Sequence, residues 1–233
     1  MPELEPEGRF AKIARMQRVL EPEYMDTPDE ANSYAAMDHS VVNAAVVDRF
    51  LQLGGGACSR VVDLGTGPGD IPMLLAQQSS IAHIVGVDAA ATMLALASPK
   101  AARLGLARRV TFAQGDVKAL PYPDGSFDGV FSNTILHHIP EPIDFVREAA
   151  RILQKGGVLL IRDLYRPETM AEAKRLVALH AGQAPADQQQ LLLQSLCAAL
   201  TLDEARALAK SAGIGHARVE MNSDRHYSIE IAR

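Results

Sequence analysis

Tryptophan is absent from this 233-residue chain, and cysteine is nearly so. The two cysteines, Cys58 and Cys197, stand far apart and outside any Cys-x-x-Cys pair. This usage argues against a disulfide framework or a zinc site, so no metal is expected. We expect both cysteines to be small buried hydrophobic residues, and a reducing cytoplasmic setting is the default expectation.

Long apolar runs are also missing. No stretch approaches the roughly 18 apolar residues of a membrane-spanning helix. The opening residues, MPELEPEGRF, are acidic and lack the apolar core of a secretory signal. We therefore expect no transmembrane segment and no signal peptide.

An excess of positive charge is lacking as well. The formal net charge is −5 and the pI is about 5.8. Such a balance gives no electrostatic footprint for a polyanion, which disfavours nucleic acid as a partner without excluding a local basic patch. The helical lid predicted below favours a small-molecule partner, and self-association into a homo-oligomer is left open.

Short β-branched runs alternate with helical patterns from Cys58 to Asp163. Strands are predicted at RVVDLG, HIVGVDA, VTFAQGD, FDGVFSN and GGVLLIRDL, with a helix after most of them. This rhythm predicts an α/β fold with a doubly wound, mostly parallel sheet. ARVEMN and RHYSIEIA predict a closing hairpin, which makes seven strands with an antiparallel last strand.

Helical segments flank this core. Residues 1–55 are predicted to form an N-terminal helical cap, and 56–233 a core with a helical insertion at about 164–200. The cap and the insertion are expected to form a lid over the carboxyl edge of the sheet. Within the cap, residues 10–20 fit a basic amphipathic helix that packs on the domain or, as an alternative, lies on a membrane.

A glycine-rich turn, VVDLGTGPGD, follows the first core strand. Its pattern is G-x-G-x-G, and Asp70 stands where a dinucleotide-binding turn has its last glycine. A carboxylate there, with Asp63 nearby, repels a pyrophosphate. Asp88 and Asp116 end the next two strands at the same edge. The pattern favours an adenosine ligand with a positive, phosphate-free end, such as S-adenosylmethionine.

Taken in order, VVDLGTGPGD, GVDAA, AQGDVKALPYPDGSFDGVFSNTILHHI and ARILQKGGVLLIRDL resemble the motifs of class I S-adenosylmethionine-dependent methyltransferases, which have a Rossmann-like fold. The resemblance is closest to the ubiquinone/menaquinone-biosynthesis and small-molecule methyltransferase group. It implies that Asp88 holds the ribose and that Asp116 and Val117 flank the adenine. The full set of implied cofactor contacts is Tyr34, Asp63, Gly65, Gly67, Asp88, Asp116, Val117 and Asn133.

The reaction implied is methylation of an oxygen, carbon or nitrogen atom of a small molecule. His137 and His138 follow the fourth core strand, and either one is a candidate general base. An ordinary role at a helix start is the alternative for both. A non-catalytic S-adenosylmethionine-binding protein, an RNA methyltransferase and an NAD-dependent dehydrogenase remain alternative functions.

Overall fold

The computed structural model of the chain describes residues 16–21, 27–35 and 37–233. A seven-stranded sheet lies at its centre, in the order β3-β2-β1-β4-β5-β7-β6. Strand β7 runs antiparallel to both of its neighbours, and the other pairings are parallel. This confirms the predicted sheet and closing hairpin. The strands are β1 (Arg60–Leu64), β2 (His83–Asp88), β3 (Val110–Gln114), β4 (Phe127–Asn133), β5 (Leu153–Leu164), β6 (Arg218–Met221) and β7 (His226–Ile231).

Helices cover both faces of the sheet. Because side chains alternate along a strand, each apolar strand contributes to two cores. One core packs against α2 and α3, and the other against α5 and α8. The helices are α1 (Pro28–Ala35), α2 (Ser40–Gln52), α3 (Asp70–Gln78), α4 (Ala91–Arg103), α5 (Ile143–Ile152), α6 (Met170–Ala181), α7 (Ala186–Ala198) and α8 (Leu202–Ser211).

The predicted insertion is a pair of helices, α6 and α7. Pro185 immediately precedes α7, and the pair packs its apolar side chains around Leu164 at the end of β5. Thr201 and Glu204 form the capping box that begins α8, as their spacing indicates. The insertion is thus joined to the core at the end of the strand that precedes it.

Residues 16–21 form a non-helical segment, here named the strap. The Val19 amide donates to the carbonyl of Cys197 at 3.1 Å. The Arg18 guanidinium donates to the carbonyls of Ala198 at 2.6 Å and Ile139 at 3.0 Å. These donors find acceptors on other elements, which replaces helical hydrogen bonding. The prediction of a helix is therefore wrong for residues 16–20, and residues 10–15 lie outside the described part.

No helix among the described residues is long and apolar enough to cross a membrane.

A buried carboxylate ties α2 to the terminal hairpin. The Glu230 side chain is 1% exposed, and Arg49 donates to its two oxygens at 2.8 and 2.7 Å. Arg218 adds a bond at 2.7 Å. Burial by itself would raise the pKa of Glu230, but hydrogen bonds from Arg49, Ser228 and Arg218 outweigh it and lower that pKa to about 2.

We predict that Glu230→Gln lowers the free energy of unfolding at pH 7 by about 1–3 kcal/mol. The native pKa lies below the unfolded value, so the stabilisation is present above about pH 4.3 and is lost as the pH falls toward the native pKa. Urea unfolding of both proteins between pH 3 and pH 7 should therefore give curves that converge at acid pH.

Glu220→Gln is the matched control, because Glu220 pairs with the same Arg49 but its side chain is 39% exposed. Glu220→Gln should lower the free energy of unfolding by less than about 1 kcal/mol. Two outcomes would contradict a stabilising, ionised Glu230. One is an equal decrease in unfolding free energy for the two variants, and the other is a decrease for Glu230→Gln that does not change with pH.

Candidate active site

A cleft opens at the carboxyl edge of the sheet, between the ends of β1, β2, β3 and β4. The residues that line it come from the turns after these strands, while Tyr34, His39 and Asn43 contribute from the N-terminal helical region. Among the described residues, no lining residue comes from 164–200. The lid role stays a prediction both for the N-terminal region and for the insertion.

The glycine turn forms one wall of the cleft. Gly65 and Gly67 have φ of +76° and +53°, a conformation that glycine adopts without steric cost. A Cβ on Gly65 would lie 2.5 Å from the side chain of Ile135, which also lines the cleft. The glycine at this position therefore allows the turn after β1 to pack closely against the Ile135 side chain, which follows β4.

Asp88 holds the glycine turn in place. One carboxylate oxygen accepts the Gly67 amide at 2.7 Å, and the other accepts the Ala90 amide at 2.9 Å. Asp88 also lines the cleft. A single side chain thus joins the end of β2 to the turn after β1, and presents a negative charge to the cleft.

Asp63 lies beneath the turn, with an exposed fraction of 1%. One oxygen accepts the Thr66 hydroxyl at 2.8 Å, and the other has no hydrogen-bond partner among the described residues. Burial raises the pKa of Asp63 to about 7, the Thr66 hydrogen bond lowers it and Asp88 raises it further. Asp63 is not among the lining residues, so its direct contact with a cofactor stays a prediction.

The two remaining aspartates at this edge have cationic partners. Asp70 begins α3 and pairs with Lys100 of α4, and Asp116 lies 3.3 Å from the Lys118 ammonium. Both aspartates line the cleft, as does the buried Val117. The lysine partners reduce the repulsion that Asp70 was expected to exert on a phosphate. Asp88 also lines the cleft and adds a further carboxylate to this edge of the sheet.

The end of β4 carries a feature that the sequence did not indicate. Thr134 has φ of +55°, an uncommon conformation for a β-branched residue. Its amide donates to the carbonyl of Arg162 at 2.9 Å, and its side chain forms a hydrogen bond with Tyr34. Asn133 accepts a bond from Arg162 at 3.0 Å. Strain of this kind is concentrated at functional sites, and here it lies on the cleft wall.

The two adjacent histidines occupy different environments. His138 lines the cleft, whereas His137 is 3% exposed and faces the interior. The Nδ1 atom of His137 lies 2.6 Å from Asp163, which also accepts the amide of Leu136 at 2.6 Å. Burial by itself would lower the pKa of His137, but Asp163 and then Glu21 outweigh burial and raise it.

Glu21 of the strap completes this group. Its Oε1 atom lies 3.3 Å from Nε2 of His137 and 3.1 Å from Nδ1 of His138. Sequence reasoning did not find Glu21, because nothing in its neighbourhood marks a contact with residues so distant along the chain.

Comparison with known proteins finds methyltransferases. A family model described as "Methyltransferase domain" matches residues 62–161. The 27-O-demethylrifamycin SV methyltransferase of Amycolatopsis mediterranei is 31% identical over 159 residues, which cover 68% of this chain and 54% of that protein. The demethylmenaquinone methyltransferase of Thermus thermophilus is 37% identical over 111 residues, covering 48% of this chain and 50% of that protein.

A solved structure agrees in fold. The SAM-dependent methyltransferase from Aquifex aeolicus superposes with a TM-score of 0.62 at 20% identity, over 88% of this chain and 97% of that chain. The two proteins therefore share one fold over most of both chains. It spans about half the length of the two curated relatives.

The raised pKa of Asp63 generates a stability prediction. The folded state holds a proton that the unfolded state releases near pH 4, so the unfolding free energy should fall as the pH rises from about 4 to 7, by about 2–4 kcal/mol for this group. Asp63→Asn should remove that part of the pH dependence. Chemical denaturation of both proteins at several pH values tests this. The prediction is contradicted if the unfolding free energies of the wild type and of Asp63→Asn change with pH in the same way.

Proposed function

We infer that this chain belongs to the class I S-adenosylmethionine-dependent methyltransferases. On that premise we propose that it transfers a methyl group from S-adenosylmethionine to an oxygen, carbon or nitrogen atom of a small molecule. One observation supports this proposal above the others. A single cleft at one edge of the sheet is lined by the glycine turn, Asp88, Asp116, Val117 and Asn133.

The residues present fit this cofactor. Asp63 keeps one buried oxygen without a hydrogen-bond partner among the described residues, and Asp88 adds a second carboxylate on the same side of the cleft. A cationic ligand is favoured beside such groups. Asp88 would hold the ribose, Val117 would cover one face of the adenine, and the turn at Gly65 and Gly67 would hold the methionine portion.

When bound, S-adenosylmethionine supplies an electrophilic methyl group on a sulfonium, a leaving group that needs no acid. The chain's own contribution is then to align the acceptor and to exclude water. Tyr34, hydrogen-bonded to Thr134, supports this role because it joins the N-terminal helical region to the wall of the cleft. The strained Thr134 backbone would fix that wall before the acceptor binds.

A general base is needed only for an acceptor that loses a proton early. We assign this role to His138, because it lines the cleft. His137 is a positioning residue in this proposal: Asp163 fixes its ring, and the ring packs 4.2 Å from that of His138.

The acceptor is proposed to be small. The cleft is bordered by N-terminal residues as well as by strand ends, whereas a macromolecule needs open access. The names of the two curated relatives point to small acceptors, and the net charge of −5 gives no support for an RNA substrate.

Asp88→Asn should weaken binding of S-adenosylhomocysteine at least tenfold. It removes a charged hydrogen-bond acceptor worth about 1.5–3 kcal/mol, and about 1.4 kcal/mol corresponds to tenfold. Isothermal titration calorimetry measures the change. Asp187→Asn, at an exposed position in the first turn of α7, is the control and should bind as the wild type does. Equal affinities for the two variants would exclude Asp88 from the cofactor site.

Transfer itself is tested with S-adenosylmethionine labelled in the methyl group and a panel of phenols, quinols, amines and carbon acids. We expect label in the organic extract and none in added RNA. Cofactor binding without transfer to any acceptor would favour a non-catalytic binding protein. Tight binding of NAD in place of S-adenosylhomocysteine would overturn the proposal.

A further inference from the structure

Glu21, His137 and His138 converge on one point although they come from two separate parts of the chain. Glu21 belongs to the strap, and the histidines form a short turn after β4. Each residue offers one ligand atom, and the three atoms all lie within 4.8 Å of one another. Two imidazole nitrogens and a carboxylate oxygen are ligands that zinc and similar divalent ions accept.

The spacing of these atoms fits a common ion. The Glu21 oxygen lies 3.3 Å from the His137 nitrogen and 3.1 Å from the His138 nitrogen. Ligands bonded to zinc at about 2.0–2.1 Å in a tetrahedron lie roughly 3.3 Å from one another. A small adjustment of side-chain torsions would therefore let the three atoms surround one ion.

His137 is already oriented as a metal ligand. Its Nδ1 atom is engaged by Asp163 at 2.6 Å, which leaves Nε2 directed at Glu21. A carboxylate on the far nitrogen of a ligating histidine is the usual support in metal sites, because it fixes the ring and its tautomer. The amides of Leu136 and His137 hold Asp163 in turn, at 2.6 and 3.2 Å.

We propose that Glu21, His137 and His138 form a binding site for one divalent transition-metal ion of the zinc class. The expectation of no metal rested on the two cysteines, and neither of them belongs to this group of residues. Three protein ligands leave at least one coordination position for water or another ligand. The metal site goes beyond the proposed methyl transfer and does not depend on it. Because an ion would occupy the Nδ1 lone pair of His138, that residue would serve as general base only in chains that hold no ion.

The surroundings of the site suit an ion. The side chains of His137 and Glu21 are 4% and 9% exposed, and that of His138 is 20% exposed. Arg18 brings a positive charge nearby, but its guanidinium is directed to main-chain carbonyls, and the two carboxylates of Glu21 and Asp163 outweigh it. Bound metal would fasten the strap to the turn that carries the cleft residue His138.

The test measures metal binding by the full-length, tag-free protein after treatment with a chelator. Equilibrium dialysis against Zn²⁺ should give one ion per chain. Co²⁺ in its place should give the visible absorption of a four- or five-coordinate site. Glu21→Gln and His138→Gln should each weaken Zn²⁺ binding at least tenfold. His216→Gln, which changes an exposed histidine, is the control and should leave binding unchanged.

Glu21→Gln is the decisive variant, because it changes no residue of the sheet or its core. Zn²⁺ should raise the Tm of the wild type and of His216→Gln, but not that of Glu21→Gln, since only an ion held by the folded state stabilises it. Failure to bind Zn²⁺ or Co²⁺, or equal affinity in wild type and Glu21→Gln, would overturn the proposal. Neither result would bear on binding of S-adenosylhomocysteine, so the metal site and the proposed function fail separately.

Discussion

The two hydrogen bonds accepted by Asp88 organise the cleft. Its carboxylate accepts hydrogen bonds from the amides of Gly67 and Ala90 at 2.7 and 2.9 Å. The end of β2 therefore fixes the turn that follows β1. Parallel pairing of these strands brings their carboxyl ends to one edge, which makes this contact available. The same carboxylate faces the cleft, so one side chain both shapes the turn and sets its charge. Removing its charge would alter the loop and the ligand preference together.

A second centre of organisation lies at the other side of the cleft. Asp163 at the end of β5 holds the histidine turn through two main-chain amides and the ring of His137. The strap contacts the same turn through Glu21. Arg18 of the strap donates hydrogen bonds to a carbonyl at the end of that turn and to one at the end of α7. Segments distant along the chain thus meet behind one cleft wall. A change at the strap is therefore expected to reach His138 through this polar network rather than through the apolar cores.

Local patterns carried much of the information about the fold. Short β-branched runs predicted each core strand, and the spacing of Thr201 and Glu204 indicated the start of α8, because strand preference and helix capping act over a few residues. The glycine turn and the aspartates at strand ends indicated the cleft for the same reason. Asp63 shows the limit of such reasoning: the motif drew attention to it, but only the packing shows that it lies beneath the turn with one unpartnered oxygen.

The sequence by itself determined the alternation of strands and helices, the reversed last strand and the acidic character of the strand ends, since each depends on neighbours in the chain. Only the tertiary structure decided that Lys100 neutralises Asp70, that Thr134 adopts a left-handed backbone, and that Glu21 meets His137 and His138. These contacts join residues far apart in the chain or depend on forces that override local preference. No spacing rule encodes them, because their energies arise only when the packed elements bring the groups together.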